Sequence, residues 1–169
     1  QARITVVELR ADVIALREQF HVPPDDGRFE VVHADAASYL ACVPASVDVL
    51  VVDGFDSGGL PPALGSAGFY SDCRRALCDG GVMVANIFSY DPHYRAMAER
   101  LRLTFDERVC RFDKVAGNNR ILFAVKAAAD GPAPRALRVQ RMVARRNGFG
   151  AGWLNRLLAR AVVCFLRQT

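Results

Sequence analysis

Apolar residues in this chain fall into strand-like runs and helix-like stripes, and their order predicts the fold. A β-branched run at 4–9 (ITVVEL) reads as a buried strand. Val13, Ile14, Leu16 and Phe20 follow with helical spacing, and a Pro-Pro-Asp-Asp-Gly loop at 23–27 ends that segment. Residues 29–33 predict a second strand and 36–41 a short helix. Residues 47–53 (VDVLVVD) predict a third strand, apolar on both faces as a parallel strand covered by helices should be. A Gly- and Pro-rich stretch at 54–65 reads as a long loop. Ser66 then reads as the cap of a helix with Phe69, Tyr70, Cys73, Ala76 and Leu77 on one face. Asp79-Gly80-Gly81 is expected to end that helix, ahead of a fourth strand at 82–88. Asp91 reads as an N-cap with Pro92 at the first helical position, followed by a stripe of Tyr94, Met97, Ala98 and Leu101. Strands at 105–112 and 120–126, joined by 113–119, read as a hairpin.

The alternation β-α-β-α-β-α-β-α-β-β predicts an α/β fold, a doubly wound and mostly parallel sheet with an antiparallel strand near the end. Two helical patterns follow, at 136–146 and 153–167. The expected organisation is a body at 1–130 and a helical tail at 131–169.

Composition narrows the classes. The chain has 169 residues, 51% hydrophobic and 24% charged, which suits one buried core. No apolar run reaches the ~18 residues of a membrane span. No basic-then-apolar leader follows Gln1, so a cytoplasmic location is expected. The net charge of +4 is uneven: 131–169 hold eight Arg and no acid, leaving 14 basic against 18 acidic residues in 1–130. The body therefore favours cationic ligands. Leu154, Leu157, Leu158, Ala161, Val162, Phe165 and Leu166 share a broad face in the tail. That face reads as packing on the body or on a second copy, so a homodimer is the expected assembly. Adsorption to an anionic membrane surface and nucleic-acid binding are weaker readings, since only Trp153 and Phe149 could interleave aromatics with the arginines.

Cys42, Cys73, Cys78, Cys110 and Cys164 are odd in number and lack a C-x-x-C pair, which argues against a disulfide framework and a zinc ribbon. Cys73 and Cys78, five apart on an expected helix, have poor ligand geometry, and His21, His33 and His93 are scattered. No metal site is expected. The cysteines read as small buried hydrophobes in a reducing compartment.

The candidate chemistry lies at the strand ends. In open α/β sheets ligands sit beyond the carboxyl ends of the strands. Glu8 closes the first strand, Asp35 follows the second, Asp53 closes the third, and Asp56 lies one short turn later. Carboxylates sharing one sheet edge repel unless something cationic or hydrogen-bonding sits among them. Glu8 suits the acid that bonds ribose hydroxyls at the end of a Rossmann strand, whose glycine turn should lie ~20 residues upstream. Only seven residues precede it. The sequence thus reads as a Rossmann-like sheet lacking its first β-α unit. The glycines of G-F-G-A-G at 148–152 follow a helix and read as a helix terminator.

V-V-E-L at 6–9, H-A-D-A-A-S-Y-L at 33–40, V-D-V-L-V-V-D-G-F-D at 47–56, F-Y at 69–70 and L-C-D-G-G-V-M-V-A-N at 77–86 resemble the spermidine synthase family, the polyamine aminopropyltransferases. The likeness is to its bacterial spermidine synthase-like branch and covers about 4–126. The D-x-x-D after the third strand is its most specific part. The resemblance implies aminopropyl transfer from decarboxylated S-adenosylmethionine to a small cationic amine such as putrescine. Glu8, with Leu9 beside it, would hold the ribose hydroxyls. Asp35 and the Ala36 backbone would meet the adenine. Asp53 would deprotonate or orient the amine at the border of donor and acceptor, and Asp56 would bind its charge. The reaction asks for no metal. The sequence departs from the family in carrying Ser57-Gly58-Gly59-Leu60-Pro61-Pro62 after Asp56, Asn86 where a Gln is usual, and Asp113 to Asn118 where a Tyr-Pro segment is common. A methyltransferase using intact S-adenosylmethionine and a non-catalytic homologue are the rival readings.

Overall fold

The computed structural model describes residues 2–56, 59–88, 90–113 and 119–127, with side chains placed except at 112 and 113. The tail expected at 131–169, with Cys164, lies outside the described residues. Contacts divide the chain after Val43 into two compact units.

In the first unit, β1 (Ile4–Glu8) and β2 (Phe29–His33) pair in parallel, from Ile4 opposite Phe29 to Glu8 opposite His33. Their crossover holds α1 (Ala11–Ala15), and β2 leads into α2 (Ala36–Cys42). The helix expected to run to Phe20 keeps only five residues of regular α-helix. Its N-cap, Arg10, offers no side-chain acceptor, and Val13, Leu16 and Phe20 are exposed. A short helix draws its stability from packing an apolar face, and this face is uncovered.

In the second unit, β3 (Val47–Val52), β4 (Leu77–Phe88), β5 (Val109–Asp113) and β6 (Asn119–Val125) form one sheet in the order β3-β4-β6-β5. β3 and β4 are parallel, and β6 runs antiparallel to both its neighbours. The single antiparallel strand near the end is therefore present. A 3₁₀ turn (Pro62–Gly65) and α3 (Ala67–Ala76) connect β3 to β4, and α4 (Tyr94–Thr104) connects β4 to β5. Ser66 caps α3, its hydroxyl accepting from the Phe69 N–H at 3.1 Å.

Phe69, Tyr70, Cys73 and Ala76 of α3 and Tyr94, Met97 and Leu101 of α4 are buried, as are Met83, Ala85 and Ile87 of β4 and Leu122, Ala124 and Val125 of β6. Burial pushes the thiols of Cys73 and Cys110 up to about 12 and about 11, as small core side chains. Cys42, by contrast, is exposed. β3 is buried on one side only: Val52 is covered, whereas Val49 and Val51 are 57% and 66% exposed.

Three boundaries differ from the sequence pattern. β4 begins at Leu77, so Asp79-Gly80-Gly81 lies inside a strand and Cys78 is on β4. Gly80 takes φ +74°, the register with β3 slips between Val47 and Val49, and a Cβ on Gly81 would stand 2.8 Å from the Cys78 carbonyl oxygen. Those glycines make a bulge rather than a stop. α4 begins at Tyr94 with His93 at its N-cap. β5 begins at Val109, because Asp106 and Glu107 adopt positive φ in the turn after α4. Arg74 fastens that turn, donating to the Thr104 carbonyl and to both oxygens of Asp106.

On α4, Leu101 is fully buried, whereas Leu103 is 64% exposed. Leu101→Ala should cost about 2–5 kcal/mol in urea unfolding, and Leu103→Ala at most about 0.5 kcal/mol. Equal losses would contradict the described core.

Candidate functional site

Parallel pairing fixes which end of each strand carries the chemistry. In the first unit Glu8 and His33 are paired at the carboxyl ends of β1 and β2, and Asp35 follows two residues on. The half-buried Glu8 accepts the Arg10 backbone N–H at 2.8 Å through one oxygen. Leu9 is exposed, and its carbonyl accepts from His33 Nε2 at 3.0 Å, which assigns the ring proton to that nitrogen. The Ala34 N–H donates to the Glu8 carbonyl at 3.1 Å. His33 thus ties the two strand ends together, a role its scattered position in sequence did not suggest.

Asp35 is the N-cap of α2, accepting the Ser38 N–H at 2.8 Å. Bonds from the Ser38 amide, then its hydroxyl, then the Ala37 amide hold its carboxyl below the ordinary value. Ala36 is the first residue of α2 and half-buried. The sequence reading gave Asp35 a ligand role and missed its capping role, although Asp-Ala-Ala-Ser is a capping spacing.

The second unit holds the other two carboxylates. Asp53 is exposed immediately after β3, and its Oδ1 accepts from Asn86 Nδ2 at 2.9 Å. The register that sets Val52 opposite Ala85 brings Asn86 beside Asp53. An ionised carboxylate only accepts, so the amide must present its nitrogen, and Asn86 Oδ1 is left buried without a hydrogen-bond partner. Asp56 and Gly59 exchange two backbone hydrogen bonds of 2.9 and 3.2 Å, a tight turn that Gly59 closes at φ +113°. Asp56 is exposed on that turn. Phe55 packs on Phe88 with ring centroids 4.1 Å apart, and Phe88 stacks on Tyr90 at 5.2 Å. That aromatic row depends on the β3–β4 register and was invisible in sequence.

The site residues thus gather as two pairs, Glu8 with Asp35 and Asp53 with Asp56, each on its own unit. Among the described residues no helix is long and apolar enough to cross a membrane.

No protein-family model matches the chain. Over 127 residues it is 35% identical to the polyamine aminopropyltransferase of Neisseria meningitidis serogroup A, covering 75% of this chain and 48% of that protein. Over 121 residues it is 36% identical to the polyamine aminopropyltransferase of Chromobacterium violaceum, covering 71% of this chain and 46% of that protein. The chain spans about half the length of these curated relatives. Among solved structures it is similar to a probable spermidine synthase from Corynebacterium glutamicum, at TM-score 0.66 and 23% identity over 94% of this chain and 62% of that one. A spermidine synthase in complex with the transition-state analogue AdoDATO matches at TM-score 0.59 and 20% identity, over 94% and 61%. Human methyltransferase-like protein 13 in complex with SAH matches at TM-score 0.64 and 19% identity, over 92% and 78%. The class is therefore an α/β fold shared by spermidine synthases and methyltransferases. Within it, the resemblance read from the strand-end motifs holds: this chain is similar in sequence to the polyamine aminopropyltransferases.

A carboxyl held below its ordinary value stabilises the folded state above the unfolded value and loses that effect as pH falls through the folded one. Asn also caps helices, so Asp35→Asn isolates the charge. The stability advantage of the wild type over Asp35→Asn should be full at pH 7 and shrink below about pH 4, the unfolded Asp value. Urea unfolding at several pH values reads this, and an equal gap at pH 3 and pH 7 would contradict the cap's charge dependence.

Proposed function

We infer that this chain serves the transfer of an aminopropyl group from decarboxylated S-adenosylmethionine to a small cationic amine such as putrescine. The observation that carries this reading is Asp53, held by Asn86 at the carboxyl end of β3 with Asp56 three residues on, in a chain similar to polyamine aminopropyltransferases. Donor and acceptor are both cations, and carboxylates favour both.

The attacking nitrogen must be neutral, whereas an alkylamine resembles a lysine side chain and is protonated at neutral pH. Asp53, with one oxygen oriented by Asn86, takes that proton through the other. The nitrogen lone pair forms a bond to the aminopropyl carbon next to sulfur. The carbon–sulfur bond breaks, its electron pair neutralises the sulfonium, and methylthioadenosine leaves. Asp56 binds the charge of the amine from its tight turn. Glu8, with Leu9 following it, serves the ribose hydroxyls, and Asp35 with Ala36 serves the adenine. The Arg10 N–H on one oxygen of Glu8 and the cap bonds on Asp35 fix those carboxylates before any ligand arrives. Cytoplasmic operation and a second copy of the chain as partner belong to the same reading.

Methyl transfer from intact S-adenosylmethionine is the second reading, favoured by the likeness to human methyltransferase-like protein 13. It leaves the Asp56 turn without a role.

Asp53→Asn keeps the shape and removes the proton acceptor. In the complete gene product it should lower aminopropyl turnover by about 10²–10⁴-fold and leave donor affinity unchanged. A loss under tenfold in a turnover assay would remove Asp53 from the reaction.

A further inference from the structure

The bend that carries Glu8 out of β1 is held by a histidine to which the reaction above gives no task. Glu8 and His33 are register partners at the last position of the parallel pair, so both side chains stand on one face of the two strands. His33 reaches one residue past its partner, and its Nε2–H donates to the Leu9 carbonyl at 3.0 Å. The Ala34 N–H donates to the Glu8 carbonyl at 3.1 Å, and Glu8 Oε1 accepts the Arg10 N–H at 2.8 Å. These bonds define the path of residues 8–10 and the direction in which the carboxylate leaves it.

The segment that follows gives the bend little support. α1 begins directly after Arg10, runs for five residues, lacks a side-chain cap and buries none of them. The Arg10 guanidinium is engaged with Asp12 rather than with Glu8. Leu9 and Arg10 are exposed, so packing does not fix them either. Among the described residues, His33 is the one side chain from outside the bend that hydrogen-bonds to it.

His33 is itself exposed, so replacing it opens no cavity and leaves the Leu9 carbonyl to water. A bond of this kind adds little to stability, because water replaces the lost donor. What it sets is geometry. A carboxylate bonds two neighbouring hydroxyls well only when its direction and distance are both fixed.

We propose that His33 is a positioning residue for the nucleoside: its hold on the Leu9 carbonyl keeps the 8–10 bend in the shape that aims the Glu8 carboxylate at the ribose hydroxyls. Ribose selectivity then depends on a side chain that acts through Leu9 rather than by contact of its own. The proposal rests on the reading that Glu8 serves the ribose, which aminopropyl and methyl transfer share, and nucleoside binding tests it without turnover.

The test titrates the complete gene product by calorimetry with methylthioadenosine and with an analogue lacking both ribose hydroxyls. The wild type should prefer the diol about 10- to 100-fold, the size of a hydrogen bond to a charged group. His33→Leu removes the donor and should lower methylthioadenosine affinity about 3- to 10-fold. The same variant should bind the analogue within about twofold of the wild type, because that ligand makes no use of Glu8. His33→Gln carries an amide N–H at the reach of Nε2 and should restore methylthioadenosine binding to within about twofold of the wild type. His33→Asn, a shorter amide, should behave as His33→Leu does. Thermal melts of the three variants should lie close to that of the wild type. In turnover, the donor KM should rise in His33→Leu with kcat little changed. An equal fall for both nucleosides in His33→Leu, or no fall for either, overturns the proposal, and a wild-type preference for the diol then leaves the Glu8 assignment standing. A wild type that does not distinguish the two nucleosides overturns the proposal together with that assignment, whatever the turnover assay of Asp53→Asn shows.

Discussion

β4 is the element on which the second unit depends. It is hydrogen-bonded on both sides, in parallel to β3 and antiparallel to β6, and it carries Met83, Ala85 and Ile87 into the core. A strand paired on both edges has no freedom to slide, because a one-residue slip would turn its apolar set to the wrong face. That fixed register is also what builds the site. It sets Asn86 beside Asp53 and lays Phe88 against Phe55. The packing of the second unit and the placement of its candidate site residues are consequences of one alignment.

The carboxylates share a second feature. Glu8, Asp35 and Asp53 each spend one oxygen on the protein: on the Arg10 amide, the Ser38 amide and the Asn86 side chain. Bonds of this kind hold a carboxylate in place at little further entropic cost when a ligand binds. At Asp35 such bonds also favour the charged form and hold its carboxyl below the ordinary value. Side chains oriented in this way suit the recognition of a cationic donor and a cationic amine.

Much of the fold was legible in the sequence. The strands at 29–33 and 47–53, the Ser66 cap and the stripes of α3 and α4 follow from periodicity and capping chemistry, and the order of elements gave the α/β class. What failed was decided by longer-range pairing. Asp79-Gly80-Gly81 has the local chemistry of a helix stop, yet the β3 register absorbs it as a bulge. α1 has an apolar stripe, yet exposure of Val13, Leu16 and Phe20 leaves it one short turn. The strand-end position of Glu8, Asp35, Asp53 and Asp56 was readable because a strand's carboxyl end can be counted along the chain. The capping of Asp35 was readable too, but the ligand reading hid it. The partnership of Asp53 with Asn86, the strand tie through His33 and the aromatic row to Tyr90 are cross-strand facts, and no single segment contains them.

The most direct test of the central claim is a calorimetric titration of the complete gene product with decarboxylated S-adenosylmethionine, intact S-adenosylmethionine and methylthioadenosine. The account predicts that the decarboxylated donor binds more tightly than intact S-adenosylmethionine and that methylthioadenosine binds as its product. Tighter binding of intact S-adenosylmethionine, or binding of none of the three, would contradict it.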